Sequence, residues 1–122
     1  MSVTTYAHKK LCQPQFAPIT NAGALVTNAA GEKTSIRLVV LANRTESAVT
    51  VVVYHVPGNA GATQAASDVH GLHEEILLAK QSREFEWAGQ GLYLDGTCDT
   101  LQVKASTANA VACHVFGGRE TA

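Results

Sequence analysis

The sequence indicates its fold most clearly over residues 92–118, which read LYLDGTCDTLQVKASTANAVACHVFGG. Every second residue falls on one mostly apolar side, namely Asp99, Leu101, Val103, Ala105 and Thr107. The residues between them are polar, which is typical of a strand with one buried face and one face in water. A turn at residues 107–109 precedes a second apolar strand at 110–117. The pattern predicts that the chain ends in a β-hairpin, with a short strand at 91–94 before it.

The segments before this stretch read as further strands. Residues 34–42 and 48–56 carry apolar side chains on both faces, and the polar residues 43–47 between them predict a hairpin loop. In the first of these strands, one predicted face consists of Ile36, Leu38, Val40 and Ala42. Strands that are apolar on both faces are covered on both faces. Three shorter strands are predicted at residues 19–26, 74–79 and 83–87, with a long loop at 59–73. About eight strands separated by polar turns indicate an all-β protein, an antiparallel β-sandwich or jelly roll.

The first sixteen residues lack this alternation. Pro14 and Pro18 each remove a backbone donor, so the segment belongs at the edge of a sheet or outside it. We therefore predict an N-terminal arm at residues 1–16 and a single jelly-roll domain at residues 17–122.

Composition limits the classes of function. A chain of 122 residues makes one domain, and its net charge of -1 argues against broad binding to nucleic acid or anionic membranes. Charged residues are 16% of the chain, where about a quarter is typical, so we expect part of the surface to be buried against other subunits. The three cysteines indicate free thiols and a cytoplasmic origin. No signal peptide or membrane helix is predicted.

Two groups of residues resemble metal ligands. His70 and His73 stand three apart beside two glutamates, but Gly71 interrupts any helix that would bring them together. We interpret this group as part of a solvated loop. Cys98, Cys113 and His114 lack the closely spaced pairs that zinc sites use, and we expect Cys113 to be a small core residue. We therefore predict no metal and no cofactor.

The sequence also lacks a catalytic motif such as GxSxG. Glu84 and Glu86 share one face of a predicted strand, which an exposed acidic face explains better than a glycosidase pair. Phe85 and Trp87 could stack on a sugar, but large aromatic side chains more often fill a core. We predict that the protein is not an enzyme.

The order of these signals resembles that of small structural proteins of tailed bacteriophages. The likeness lies in AVTVVVYHVPG at residues 48–58 and in residues 99–117, with DTLQVKAS at its centre. It implies a jelly-roll domain that forms homotrimers and serves as a capsid cement, or decoration, protein. It also implies the major capsid protein as partner and the capsid exterior of the virion as location. The resemblance does not extend to the N-terminal arm.

Residues for these contacts follow from the patterns. The strands that are apolar on both faces suggest a trimer interface with Val39, Leu41, Val52 and Tyr54. The arm combines lysines with apolar side chains and suggests a capsid contact with Tyr6, Lys9, Lys10, Leu11 and Phe16. An equally weighted interpretation makes the arm an edge strand of the protein's own sheet.

Two alternative functions remain open at this point. The chain could be a head-spike base or a tail-associated structural protein, which keeps the structural class. It could instead be a sugar- or receptor-binding jelly-roll module.

Overall fold

The computed structural model describes residues 5–19, 21–87 and 91–121 of the chain. This part of the chain contains ten strands and a single turn of 3₁₀ helix, Asp68–His70. The strands are β1 Thr5–Lys10, β2 Gln15–Phe16, β3 Gly23–Thr27, β4 Glu32–Asn43, β5 Val49–Val56, β6 Gly71–Leu77, β7 Ser82–Glu86, β8 Leu92–Leu94, β9 Thr100–Ala105 and β10 Val111–Thr121.

The strands form two antiparallel sheets that enclose one hydrophobic core. Sheet I has the order β1-β10-β4-β7, with the short strands β2 beside β10 and β8 beside β4. Sheet II has the order β3-β9-β5-β6. With β2 and β8 set aside, successive strands change sheet at every step except β5 to β6, which is jelly-roll connectivity. The predicted antiparallel sandwich is confirmed.

The predicted hairpins at residues 43–47 and 107–109 are wrong, because both connections cross from one sheet to the other. β4 and β10 pair with each other in sheet I, while β5 and β9 pair with each other in sheet II. The crossings lie side by side, and Arg44 N donates to Ala110 O at 2.7 Å. Alternating side chains indicate only which face of a strand is buried. That face is the same whether the next strand pairs with it in a hairpin or crosses over the shared core to the other sheet.

A β-bulge in sheet I changes which side chains of β4 point inward. Phe116 pairs with Leu38 but Gly117 pairs with Ile36, so Arg37 is an extra residue on β4. Ile36 and Val39 consequently both face the core. The single face predicted for Ile36, Leu38, Val40 and Ala42 is therefore wrong beyond residue 36.

The N-terminal segment forms part of sheet I. β1 pairs with β10 from Thr5 opposite Thr121 to Lys10 opposite Phe116. Leu11 follows and is buried in the core. Over residues 5–16 the structure thus shows the edge-strand interpretation in place of the predicted arm, while residues 1–4 of that arm lie outside the described residues.

The loop after β5 covers part of the outer side of sheet II. Gln102 Nε2 donates to Gln64 O at 2.9 Å, and both Gln102 and Thr100 are buried. The inward face predicted for Leu101, Val103 and Ala105 is confirmed, because all three side chains are buried in the core. The other face of β9 is not wet throughout, because this loop lies over it.

Buried polar side chains close the two ends of the sandwich. At one end, Asn43 Nδ2 donates to Ser47 O at 2.7 Å and to Leu77 O and Leu78 O at 3.1 Å. Asn43 Oδ1 accepts from Thr45 N at 2.9 Å. This one side chain therefore holds the β4–β5 connection against the β6–β7 connection.

The opposite end depends on Asp99. Its Oδ1 accepts from Gly58 N and its Oδ2 from Gly96 N, both at 2.8 Å. Buried Asn28 adds a bond from Nδ2 to Gly96 O at 2.9 Å and accepts from Thr34 Oγ1 at 2.8 Å. The loops at this end are thereby fixed relative to both sheets.

Candidate assembly surfaces

The outer side of sheet I carries a half-exposed apolar surface, which we call face I. It consists of Phe16, Leu38, Val40, Ala42, Ala112, His114 and Phe116. Phe16 is 47% exposed and Phe116 39% exposed. Because side chains alternate along a strand, these residues point outward while Val39 and Leu41 point into the core.

Face I is ordered in rows that cross the strands. One row runs from Lys10 through Phe116 and Leu38 to Glu86. Glu84 ends the neighbouring row, opposite Val40. The apolar surface is thus bounded by a lysine at the β1 margin and by two glutamates at the β7 margin.

The outer side of sheet II carries a second surface, which we call face II. Val52 and Tyr54 are half-buried there and line a shallow cleft of about 360 Å³ with Ile19, Glu74 and Lys104. Beyond the cleft, Ile76 on the edge strand β6 is 61% exposed. Faces I and II lie on opposite sides of the sandwich.

The predicted trimer residues separate into two groups. Val39 and Leu41 are 0% exposed and belong to the core of the chain, so they offer no surface to a partner. This corrects their assignment to an interface. Val52 and Tyr54 lie together on face II, where a partner can reach them.

The predicted capsid-contact residues also separate. Lys10 and Phe16 are exposed at the β1 margin of sheet I, and Lys10 Nζ donates to Gln13 Oε1 at 3.2 Å. Leu11 is buried in the core, which corrects its assignment to a contact. The side chains of Tyr6 and Lys9 lie outside the described residues.

The two histidines of the metal-like group have separate environments. His70 ends the 3₁₀ turn, and its Nδ1 accepts from Ser67 N at 3.1 Å. His73 lies on β6 rather than in a loop, and its ring stacks on Phe85 with centroids 4.6 Å apart. No group of three or more His, Cys, Asp and Glu residues is arranged to hold a metal ion within the described ranges.

The acidic and aromatic residues at positions 84–87 are placed as predicted. Phe85 is buried and Trp87 packs against the core. Glu84 and Glu86 are exposed on the outer side of sheet I. They form an acidic margin to face I.

The three cysteines are free. Cys113 is buried as predicted, and burial, with a smaller contribution from Cys12, raises the pKa of its thiol to about 12. Burial also raises the pKa of Cys12. Cys98 lies in an end loop, where its Sγ donates to Gly61 O at 3.3 Å.

Face I could not be predicted from the sequence, because the bulge at Arg37 reverses the alternation of inward and outward side chains along β4. Leu38 and Val40 were assigned to the same side as buried Ile36. The strand pattern carries no signal for this reversal, since a bulge depends on the partner strand. The acidic margin at Glu84 and Glu86 was the one visible sign that this side of sheet I faces solvent.

No helix in the described part of the chain is long and apolar enough to span a membrane.

The chain matches no family model and no curated protein. Among solved structures, it is similar to a protein from a study of Bacillus endospore appendages, described there as "a novel family of disulfide-linked pili". The two are 17% identical, the TM-score is 0.52, and the match covers 98% of this chain and 91% of the other. This likeness concerns the fold.

Proposed function

We propose that this protein is a structural subunit of a tailed-phage virion, a capsid cement protein that acts as a homotrimer. The observation that carries the proposal is the presence of half-exposed apolar surface on both outer faces of the sandwich. Contiguous apolar surface on a soluble domain is a usual mark of contact with another protein. A subunit with two such surfaces is suited to lie between two neighbours.

The two faces have different roles in this proposal. Face II, with Val52 and Tyr54, contacts sister copies in the trimer. Face I, with Lys10 and Phe16 at its margin, contacts the capsid protein. Because the faces lie on opposite sides, one subunit can make both contacts at once, and three linked subunits multiply weak contacts with the shell.

A pilus-like filament subunit is the second candidate. The fold likeness to the protein from the study of disulfide-linked endospore pili favours it. Half-buried Cys12 and Cys98 would be the thiols available for cross-links between copies, whereas Cys113 is enclosed in the core.

The test uses purified protein, undecorated capsids and three single variants. Val40→Asp places a charge on face I and should abolish capsid binding while leaving the trimer. Val52→Asp places the same charge on face II and should break the trimer. Ala29→Asp, in an exposed end loop, is the matched control and should change neither.

Electron microscopy and light scattering distinguish the outcomes. Trimers that decorate capsids support the cement function. Filaments of the protein alone support the second candidate, and failure of the wild-type protein to bind capsids would count against the first.

A further inference from the structure

We infer that the unassembled protein covers face I with face I of a second copy, in a twofold stack whose axis runs along the strands. The inference rests on the proposed function in one respect, because it treats face I as an assembly surface. It adds a second copy of the chain as the partner of face I, and the capsid must later displace this copy.

Charge order across face I carries the inference. A twofold axis parallel to the strands keeps each row in place and reverses the order of residues along it. The row Lys10–Phe116–Leu38–Glu86 then meets its own reverse. Lys10 of each copy lies over Glu86 of the other, and Phe116 lies over Leu38.

The last row of face I fits the same operation. Phe16, Ala112, Ala42 and Ser82 occupy successive strands in register. After reversal, Ala112 lies over Ala42 and Phe16 lies over Ser82. Small side chains therefore meet at the centre of this row, and a bulky one meets a small one at each margin.

The other face-to-face arrangement is electrostatically worse. A twofold axis perpendicular to the strands keeps each strand over itself and reverses the rows. Glu84, in the middle row, would lie over Glu84 of the second copy, and Lys10 would lie over Phe16 with no carboxylate opposite. Like charges in contact disfavour a docking arrangement, so the axis along the strands is preferred.

The size of face I makes this contact reversible. Four strands spaced about 4.8 Å apart and three rows about 6.8 Å apart span roughly 400 Å² in each copy. Stable complexes bury about 800 Å² per partner. The stack is therefore weak enough to give way when a shell offers a larger partner for the same face.

Charge reversal tests the stack directly. Lys10→Glu and Glu86→Lys are made singly and together, and the mass of each protein is followed by light scattering as concentration rises. We expect the wild-type mass to rise with concentration, each single variant to associate at least about tenfold more weakly, and the double variant to recover. Lys80→Glu is the control, because its ion pair with Glu46 lies outside face I.

Several results would overturn the stack: a wild-type mass that does not change with concentration, single variants that behave as wild type, or a double variant that fails to recover. Capsid binding by the same proteins separates this inference from the proposed function. Wild-type protein whose mass rises with concentration but that does not bind capsids would support the stack and contradict the cement function. Capsid binding without this rise in mass would support the cement function and contradict the stack.

Discussion

At the residue scale, single buried polar groups determine how the ends of the sandwich close. Asp99 accepts two backbone N–H bonds, one on each carboxylate oxygen, from loops that are far apart in sequence. A carboxylate suits this position because both of its oxygens accept. Period-two alternation places Asp99 on the inward side, and the residue is buried directly before β9, but a pattern of strands cannot show which N–H groups it would meet.

Replacing Asp99 with asparagine should therefore destabilise the fold. The amide has one accepting oxygen and one NH₂ group, which only donates. The NH₂ group would face the backbone N–H of either Gly58 or Gly96 and leave that N–H unpaired. We expect a loss of about 2 kcal/mol in the free energy of unfolding, measured by urea denaturation. Asp95→Asn, at an exposed position in the same turn, is the control and should change little. Equal stability of the two variants would contradict this role of Asp99.

The Cys113 thiol gives the fold a dependence on alkaline pH. Its pKa is raised from 9.0 to about 12 in the folded protein, chiefly by burial. Between these values the unfolded chain has lost the proton and the folded chain still binds it. The free energy of unfolding therefore falls as pH rises across this window, by about 1.4 kcal/mol per pH unit.

Urea denaturation of wild type and Cys113→Ala can isolate this contribution. We expect wild type to lose about 2 kcal/mol more than the variant between about pH 8 and about pH 10.5. The variant should start from a lower stability, because it leaves a small cavity, and should have the shallower slope. Parallel slopes would show that Cys113 does not titrate in this way.

At the element scale, the bulge on β4 depends on a glycine in the facing strand. A Cβ atom at Gly117 would collide with the backbone carbonyl oxygen of Ser35, so the strands can approach here only if residue 117 has no side chain. This requirement links a residue of β10 to the reversal of faces along β4.

Gly117→Ala should therefore lower the free energy of unfolding by about 2 kcal/mol. The unfolding transition, followed by tryptophan fluorescence, should move to a lower urea concentration. The control is Gly71→Ala, where the nearest atom to the added Cβ is Asp68 O at 3.3 Å and only a small adjustment is needed. A Gly117→Ala protein as stable as this control would mean that the bulge tolerates a side chain.

The bulge and the crossings also mark the limit of prediction from this sequence. Period-two alternation was sufficient to find β4, β5, β9 and β10 and to place Leu101 and Val103 in the core. It could not show that β9 and β10 belong to different sheets, because pairing partners are set by contacts distant in the chain. For the same reason it could not separate Val52 and Tyr54, which lie on an accessible surface, from Leu41, which lies in the core.

At the scale of the whole molecule, a lysine placed in the core should act differently from one on a face. Leu41→Lys buries an unpaired charge among core side chains, so we expect the protein to unfold. Val52→Lys puts the same charge on face II, where we expect the fold to survive and the trimer to dissociate. Circular dichroism reports folding and light scattering reports mass. A folded Leu41→Lys protein would contradict the core position of Leu41, and a trimeric Val52→Lys protein would contradict the role of face II.

The position of β10 has a consequence for the order in which the chain can fold. β10 follows β1–β9 in the chain, yet it lies between β1 and β4 in sheet I. The strand that joins β1 to β4 is therefore absent until β10 has been synthesised. Long-range pairing of this kind slows folding and leaves apolar strand edges open in the meantime. A nascent chain that stalls before residue 111 should accordingly be protease-sensitive along its whole length, and the addition of β10, Val111–Thr121, should make it resistant in one step.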